Sequence, residues 1–291
     1  MDASWTDALQ NLIEYPMLWR VLLNSALIAA VAAWLGVQIL ARGIVFLGLT
    51  VAQGAAAGMT LAFWIGIHSL AGSLLFVVGA VAALAGGRFQ LGEGHEEGKI
   101  AILYTVFLAL GALFLVLNPH AEGRMQYIFY GNVLTISRGE TGILWAAAAL
   151  LFGVQSWRWK GFLWLAADPR TASAFGVPFR RYNLLFFTML GGGLAVLLHF
   201  AGLVVPLALM IVPAYTAFNT VTGVRPVLIV ALGLAIVPTV LAVAAGIAFA
   251  PNYPLGSMIA IGTLAASLLF FAAQRIGHSI AHRPREAGAA A

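Results

Sequence analysis

The chain has 291 residues, of which 62% are hydrophobic and only 9% charged, with 15 Lys and Arg against 10 Asp and Glu. That balance excludes a soluble globular domain. It fits an all-α polytopic membrane protein, with room for eight to ten helices of about 20 residues and none for a separate soluble domain. The absence of cysteine rules out disulfides and thiolate metal sites.

Residues 1–20 carry Asp2, Asp7 and Glu14 and lack a basic leader, so they read as an amphipathic lead-in on the outer, periplasmic surface and not as a signal peptide. Apolar runs then mark nine spans at 21–41, 44–66, 70–86, 100–117, 140–156, 184–200, 203–221, 227–249 and 256–274, within a transmembrane domain of 21–275. The run Leu184–Phe218 is 35 residues, about 50 Å as one helix and too long for a single crossing. It must break, and His199–Gly202 is the expected place. Between spans four and five, Asn118–Glu140 is aromatic and contains glycines, which allows a surface helix. Residues 276–291 are expected to form a disordered tail.

The connection Trp157–Asn183 stands apart. It holds Arg158, Lys160, Arg170, Arg180 and Arg181 against the single acid Asp168, a net charge of +4. Nine spans put the termini on opposite sides. With the C-terminus inside, 12 of the Lys and Arg residues lie on the inner side, and Arg20, Arg124 and Arg138 stay outside. The positive-inside rule therefore predicts an outer N-terminus and a cytoplasmic C-terminus. The same rule explains the excess of base, and no basic stripe with interleaved aromatics points to nucleic acid.

None of the acids, lysines or arginines sits centrally in a predicted span. Proton relays and ion-coupled transporters need such groups, so transport would have to draw its energy from elsewhere. Gly94–Ile100 (GHEEGKI) resembles a phosphate-binding loop. It is one residue short of the motif, lacks the final hydroxyl and follows no strand. It reads as a solvated inner loop, or as a weak divalent-ion sensor built on His95, Glu93, Glu96 and Glu97.

Span two contains Gly54 and Gly58 in a GxxxG spacing that favours close helix packing. Gln53 lies on the face of Leu49 and Thr50, and a buried amide there either bonds across helices or lines a polar path. His199 is the one histidine well inside an apolar run. It is either a structural hydrogen-bonder or a ligand for a transition metal. His68 and His120 are expected at the outer surface, where they could meet an arriving ligand. Gly191–Gly193, Pro206, Pro213 and Pro238 mark either close packing or interrupted helices.

The order and spacing of several segments resemble the membrane-spanning permeases of the ABC-3 family, importers of zinc, manganese and iron. These segments are Arg42–Gly58, Tyr127–Ser137 (YIFYGNVLTIS), Asp168–Gly176 (DPRTASAFG), His199–Ala217 (HFAGLVVPLALMIVPAYTA) and Pro254–Leu269. The resemblance implies a permease dimer in the bacterial inner membrane. It also implies a cytoplasmic ABC ATPase that hydrolyses ATP while this chain catalyses nothing itself, and a periplasmic solute-binding protein. It gives the basic loop a role as the segment that docks on the ATPase, with Asp168, Pro169, Ala172 and Gly176 at its centre. One departure matters. The family commonly carries Asp and His four residues apart on span two as metal ligands, and the matching positions here are Leu49 and Gln53. Thr50, Gln53 and His199 are then the candidate pathway residues. The expected function is import of a divalent transition metal, zinc or manganese. The alternatives are a chelated metal or another solute, or an ATP-independent secondary transporter.

Overall fold

The computed structural model describes residues 16–86, 96–118, 121–131, 133–157, 179–249 and 254–287. Among these residues, ten α-helices run in the order α1 (Pro16–Ala41), α2 (Val45–Ile65), α3 (Ser69–Gly86), α4 (Glu96–Val116), α5 (Ala121–Tyr130), α6 (Arg138–Trp157), α7 (Phe179–Ala201), α8 (Val204–Thr220), α9 (Val224–Phe249) and α10 (Leu255–Ala287). All except α5 coincide with the nine expected spans. By length and composition, α1, α2, α7, α9 and α10 can each cross a membrane, and α3, α4 and α8 contribute shorter apolar helices. The anticipated surface helix between spans four and five is α5, followed by a 3-10 turn at Val133–Thr135. The last helix runs past the expected span end to Ala287, into the stretch expected to be disordered.

Helix contacts form two groups. In one, α2 is flanked by α3 and α4, with α7 against α2 and α3; in the other, α1 packs on α8 and α9, and α10 covers α8 and α9. Helices α6 and α7 bridge to α1. Small residues set the closest approaches. A β-carbon on Gly58 would lie 2.2 Å from the Gly72 carbonyl oxygen, so α2 and α3 touch backbone to backbone. Gly54 instead accepts the ring of Phe107 from α4, 2.9 Å from its would-be β-carbon. The GxxxG pair thus serves packing, with its two glycines turned to different neighbours. Gly36 of α1 meets the carbonyl of Met210 on α8 in the same way.

The three consecutive glycines do not interrupt α7. Gly191 is filled by Val77, Gly193 by Leu151 and Leu35, and Gly192 borders an apolar crevice of about 180 Å³. Pro206 occupies the first turn of α8, where it costs no hydrogen bond, while Pro213 and Pro238 lie inside continuous helices. The break between α7 and α8 falls where expected, at Gly202, which adopts φ +70°.

Polar side chains bind α1 to α6 at two levels. Asn24 donates to Thr141 Oγ1 at 3.0 Å and accepts from Trp145 Nε1 at 3.0 Å. Farther along, Trp34 and Gln38 both donate to Oε1 of the fully buried Gln155. At that end, in the α1–α2 turn, the Arg42 guanidinium lies 3.6 Å from the centroid of the Phe186 ring, where the aromatic face favours a cation.

Candidate functional site

The candidate residues fall in two places. Thr50 and Gln53 are on the middle turns of α2. Thr50 is fully buried, and its hydroxyl donates to the Phe46 carbonyl at 3.0 Å, which satisfies its proton within the helix. Gln53 is half-buried and finds no hydrogen-bond partner among the described residues. Leu49, one turn earlier, is also half-buried. Between Leu47 and Thr60 these are the two positions of α2 that are not buried, whereas Phe46, Trp64 and Ile65 nearer its ends are more exposed.

His199 lies elsewhere, in the last turn of α7. The residue is 5% exposed, and its Nδ1 is 2.9 Å from Ser69 Oγ at the start of α3. The exposed ring of His68 stands beside it, with centroids 5.3 Å apart and planes inclined at 40°. His68 is in the short link after α2. From Gln53 to the end of α2 at Ile65 is 12 residues, about 18 Å of helix. Gln53 and His199 therefore belong to different levels of the bundle.

The end that holds His199 is built around α5. The α7–α8 turn leaves backbone groups without helical partners, and α5 supplies them. Tyr127 Oη donates to the His199 carbonyl at 2.9 Å, and the Leu203 N–H donates to the Ile128 carbonyl at 2.8 Å. Burial, together with the charge of Glu140, pushes the Tyr127 phenol above its ordinary pKa, so it remains a donor. Glu140 sits in the first turn of α6 and is fixed by a reciprocal cap. Its Oε2 accepts from the Ser137 N–H at 2.8 Å, and its own N–H donates to Ser137 Oγ at 3.2 Å. That carboxylate is within electrostatic reach of both His68 and His199. A depression of about 340 Å³, lined by Gln126, Tyr127, Tyr130, Pro254 and Gly256, opens beside Tyr127.

Sequence reasoning named His68 and His199 but missed Glu140, Ser69 and Tyr127 as their company. The alternation of spans held part of the signal, because the links after spans two, four and six must all emerge at one end. Asp168, Pro169, Ala172 and Gly176, and the Gly94–His95 segment, lie outside the described residues. Among the described residues, no three His, Asp or Glu side chains are close enough to close a metal shell.

Long apolar helices and the glycine contacts between them fit a multi-pass membrane protein. Residues 14–275 match the model of the ABC 3 transport family, and the chain belongs to that family. It is similar to the manganese transport system membrane protein MntC of Halalkalibacterium halodurans, with 27% identity over 89% of this chain and 87% of the relative. It is similar also to the chelated iron transport system membrane protein YfeC of Yersinia pestis, with 26% identity over 76% of this chain and 74% of the relative. Among solved structures, PsaBC from Streptococcus pneumoniae in complex with Fab shares the fold, with a TM-score of 0.79, 21% identity, and coverage of 92% of this chain and 95% of that one.

Proposed function

We propose that this chain is the membrane-spanning permease subunit of a bacterial ABC importer for a divalent transition metal. The observation that carries the reading is the family match over residues 14–275, supported by relatives whose names specify manganese and iron transport. The α5 end faces the periplasm and receives substrate from a solute-binding protein. The opposite end, with Arg42, Arg181 and Arg225, faces the cytoplasm in accord with the positive-inside rule. There a separate ATPase docks on the 157–183 segment, around Asp168, Pro169, Ala172 and Gly176. Nucleotide-driven rocking of two permease chains in the inner membrane then opens the path alternately to each side. Thr50 and Gln53 border that path on α2, and His199 stands near its outer end.

A second reading is favoured by one observation. With Leu49 and Gln53 half-buried on α2, these two positions offer an amide oxygen and no strong ligand, which suits a chelated metal better than a bare ion.

The test is to reconstitute the chain with its cognate ATPase and binding protein and to measure ATP hydrolysis and uptake against a panel of metals. Stimulation by binding protein loaded with one free metal supports the first reading. Stimulation only by a metal–chelator complex supports the second, and assembly without an ATPase partner overturns both.

A further inference from the structure

The histidines at the α5 end are better arranged for an ion than their separation in sequence suggests. Two imidazoles bound to one tetrahedral cation, with metal–nitrogen bonds of about 2.0–2.1 Å, have ring centroids roughly 5 Å apart. The His68 and His199 centroids are 5.3 Å apart. Ser69 Oγ holds Nδ1 of His199 at 2.9 Å. When that nitrogen donates to the hydroxyl, the proton is on Nδ1 and the lone pair is on Nε2, the arrangement in which an outer partner orients a ligand. The Tyr127 hydroxyl fixes the backbone of the same residue through its carbonyl.

His68 is the adjustable partner. Its Nδ1 accepts from the Leu70 N–H at 3.3 Å, a long bond on an exposed ring. The ring can turn and leave that amide to water. Glu140 supplies negative charge to both rings while its carboxylate is held by Ser137. Because no third His, Asp or Glu among the described residues closes the shell, water would complete it. Two protein ligands make a station that an ion can leave, as a pathway requires.

We propose that His68 and His199 form a two-imidazole capture site for a late first-row divalent cation, with Glu140 as its counter-charge. Nitrogen ligands rank zinc, cobalt, nickel and copper ahead of manganese. The site is distinct from the middle of α2, about 18 Å away along the helix. Its role as an entry station rests on the importer reading above, but its capacity to bind a cation does not.

The test uses the full chain purified in detergent on a tag without histidine. Cobalt(II) is titrated and followed by its visible absorption, with zinc and manganese as competitors. The expected result is one cobalt per chain at this site, displaced by zinc and poorly by manganese. His68→Ala should weaken that binding at least tenfold while the melting temperature stays unchanged, because its ring is exposed. His199→Gln should weaken it as well. Absence of cobalt binding in the wild type, or a His68→Ala affinity equal to wild type, overturns the site. Metal import by the assembled complex with unaltered cobalt binding in His68→Ala would remove this site and leave the importer reading intact. Cobalt binding that depends on His68, in a chain that transports no metal, would do the reverse.

Discussion

Gly131 and Gly202 meet backbone to backbone. A β-carbon on either would lie 2.4 Å from the amide nitrogen of the other, and both residues have positive φ, +66° and +70°. The segment after α5 is thereby pressed against the α7–α8 turn, with no side chain between them.

Gly202→Ala should therefore be among the most damaging single-methyl additions in the chain. The left-handed conformation alone costs about 1–2 kcal/mol for a residue with a β-carbon, and the clash with Gly131 and the Phe129 carbonyl adds to it. Thermal unfolding in detergent should show a clear drop in melting temperature. A variant as stable as wild type would mean that the two segments are not in contact.

The α2–α3 crossing makes a matched pair of substitutions informative. Gly58→Ala places its methyl 2.2 Å from the Gly72 carbonyl oxygen and should force the helices apart. Gly79→Ala, on α3, meets nothing within 4 Å and should be neutral or stabilising by up to about 1 kcal/mol through helix propensity. Equal melting temperatures for the two variants would contradict the crossing.

Asn24 is the junction of a polar bridge between α1 and α6, since it both donates to Thr141 and accepts from Trp145. Asn24→Ala removes both bonds. Interhelical hydrogen bonds in membranes average about 0.6 kcal/mol, so a loss of roughly 1 kcal/mol is expected. A double-mutant cycle with Trp145→Phe should give a nonzero coupling energy, and strict additivity would show that the indole does not reach Asn24.

On α2 the two candidate pathway residues should separate. Gln53 has no hydrogen-bond partner among the described residues, whereas the Thr50 hydroxyl bonds its own helix. Gln53→Ala should lower uptake at unchanged expression, and Thr50→Val should lower it less. Wild-type uptake by Gln53→Ala would assign the amide to packing.

The docking role proposed for the 157–183 segment predicts a loss of association without a loss of fold. Gly176→Trp should abolish co-purification of the ATPase while the permease keeps its melting temperature. Retained association at wild-type affinity would remove the segment from the interface.

Helix positions were legible in the sequence because hydropathy reports transfer of whole segments into lipid. The expected 44–66 and the observed Val45–Ile65 differ by one residue at each end, and the break near residue 200 followed from length alone. The company of His199 was less legible. Alternation of spans places residues 68, 140 and 199 at one end, but not at one point. That Ser69 meets the ring while Tyr127 meets the carbonyl depends on helix rotation and rotamers, which apolar sequence does not encode. The Gln38–Gln155 contact, spanning 117 residues, is of the same kind. Glycine spacing was readable as packing, yet the division of Gly54 and Gly58 between α4 and α3 was not.

Only Gly202 and Leu203 separate α7 from α8, and both amides are engaged, one by Leu198 and the other by Ile128. Such a link carries no polar stretch that could rest among lipid headgroups while one helix waits for the next. The two helices are thereby joined as one tight hairpin. Any reporter or protease site inserted between them to map the topology would destroy the arrangement it was meant to report.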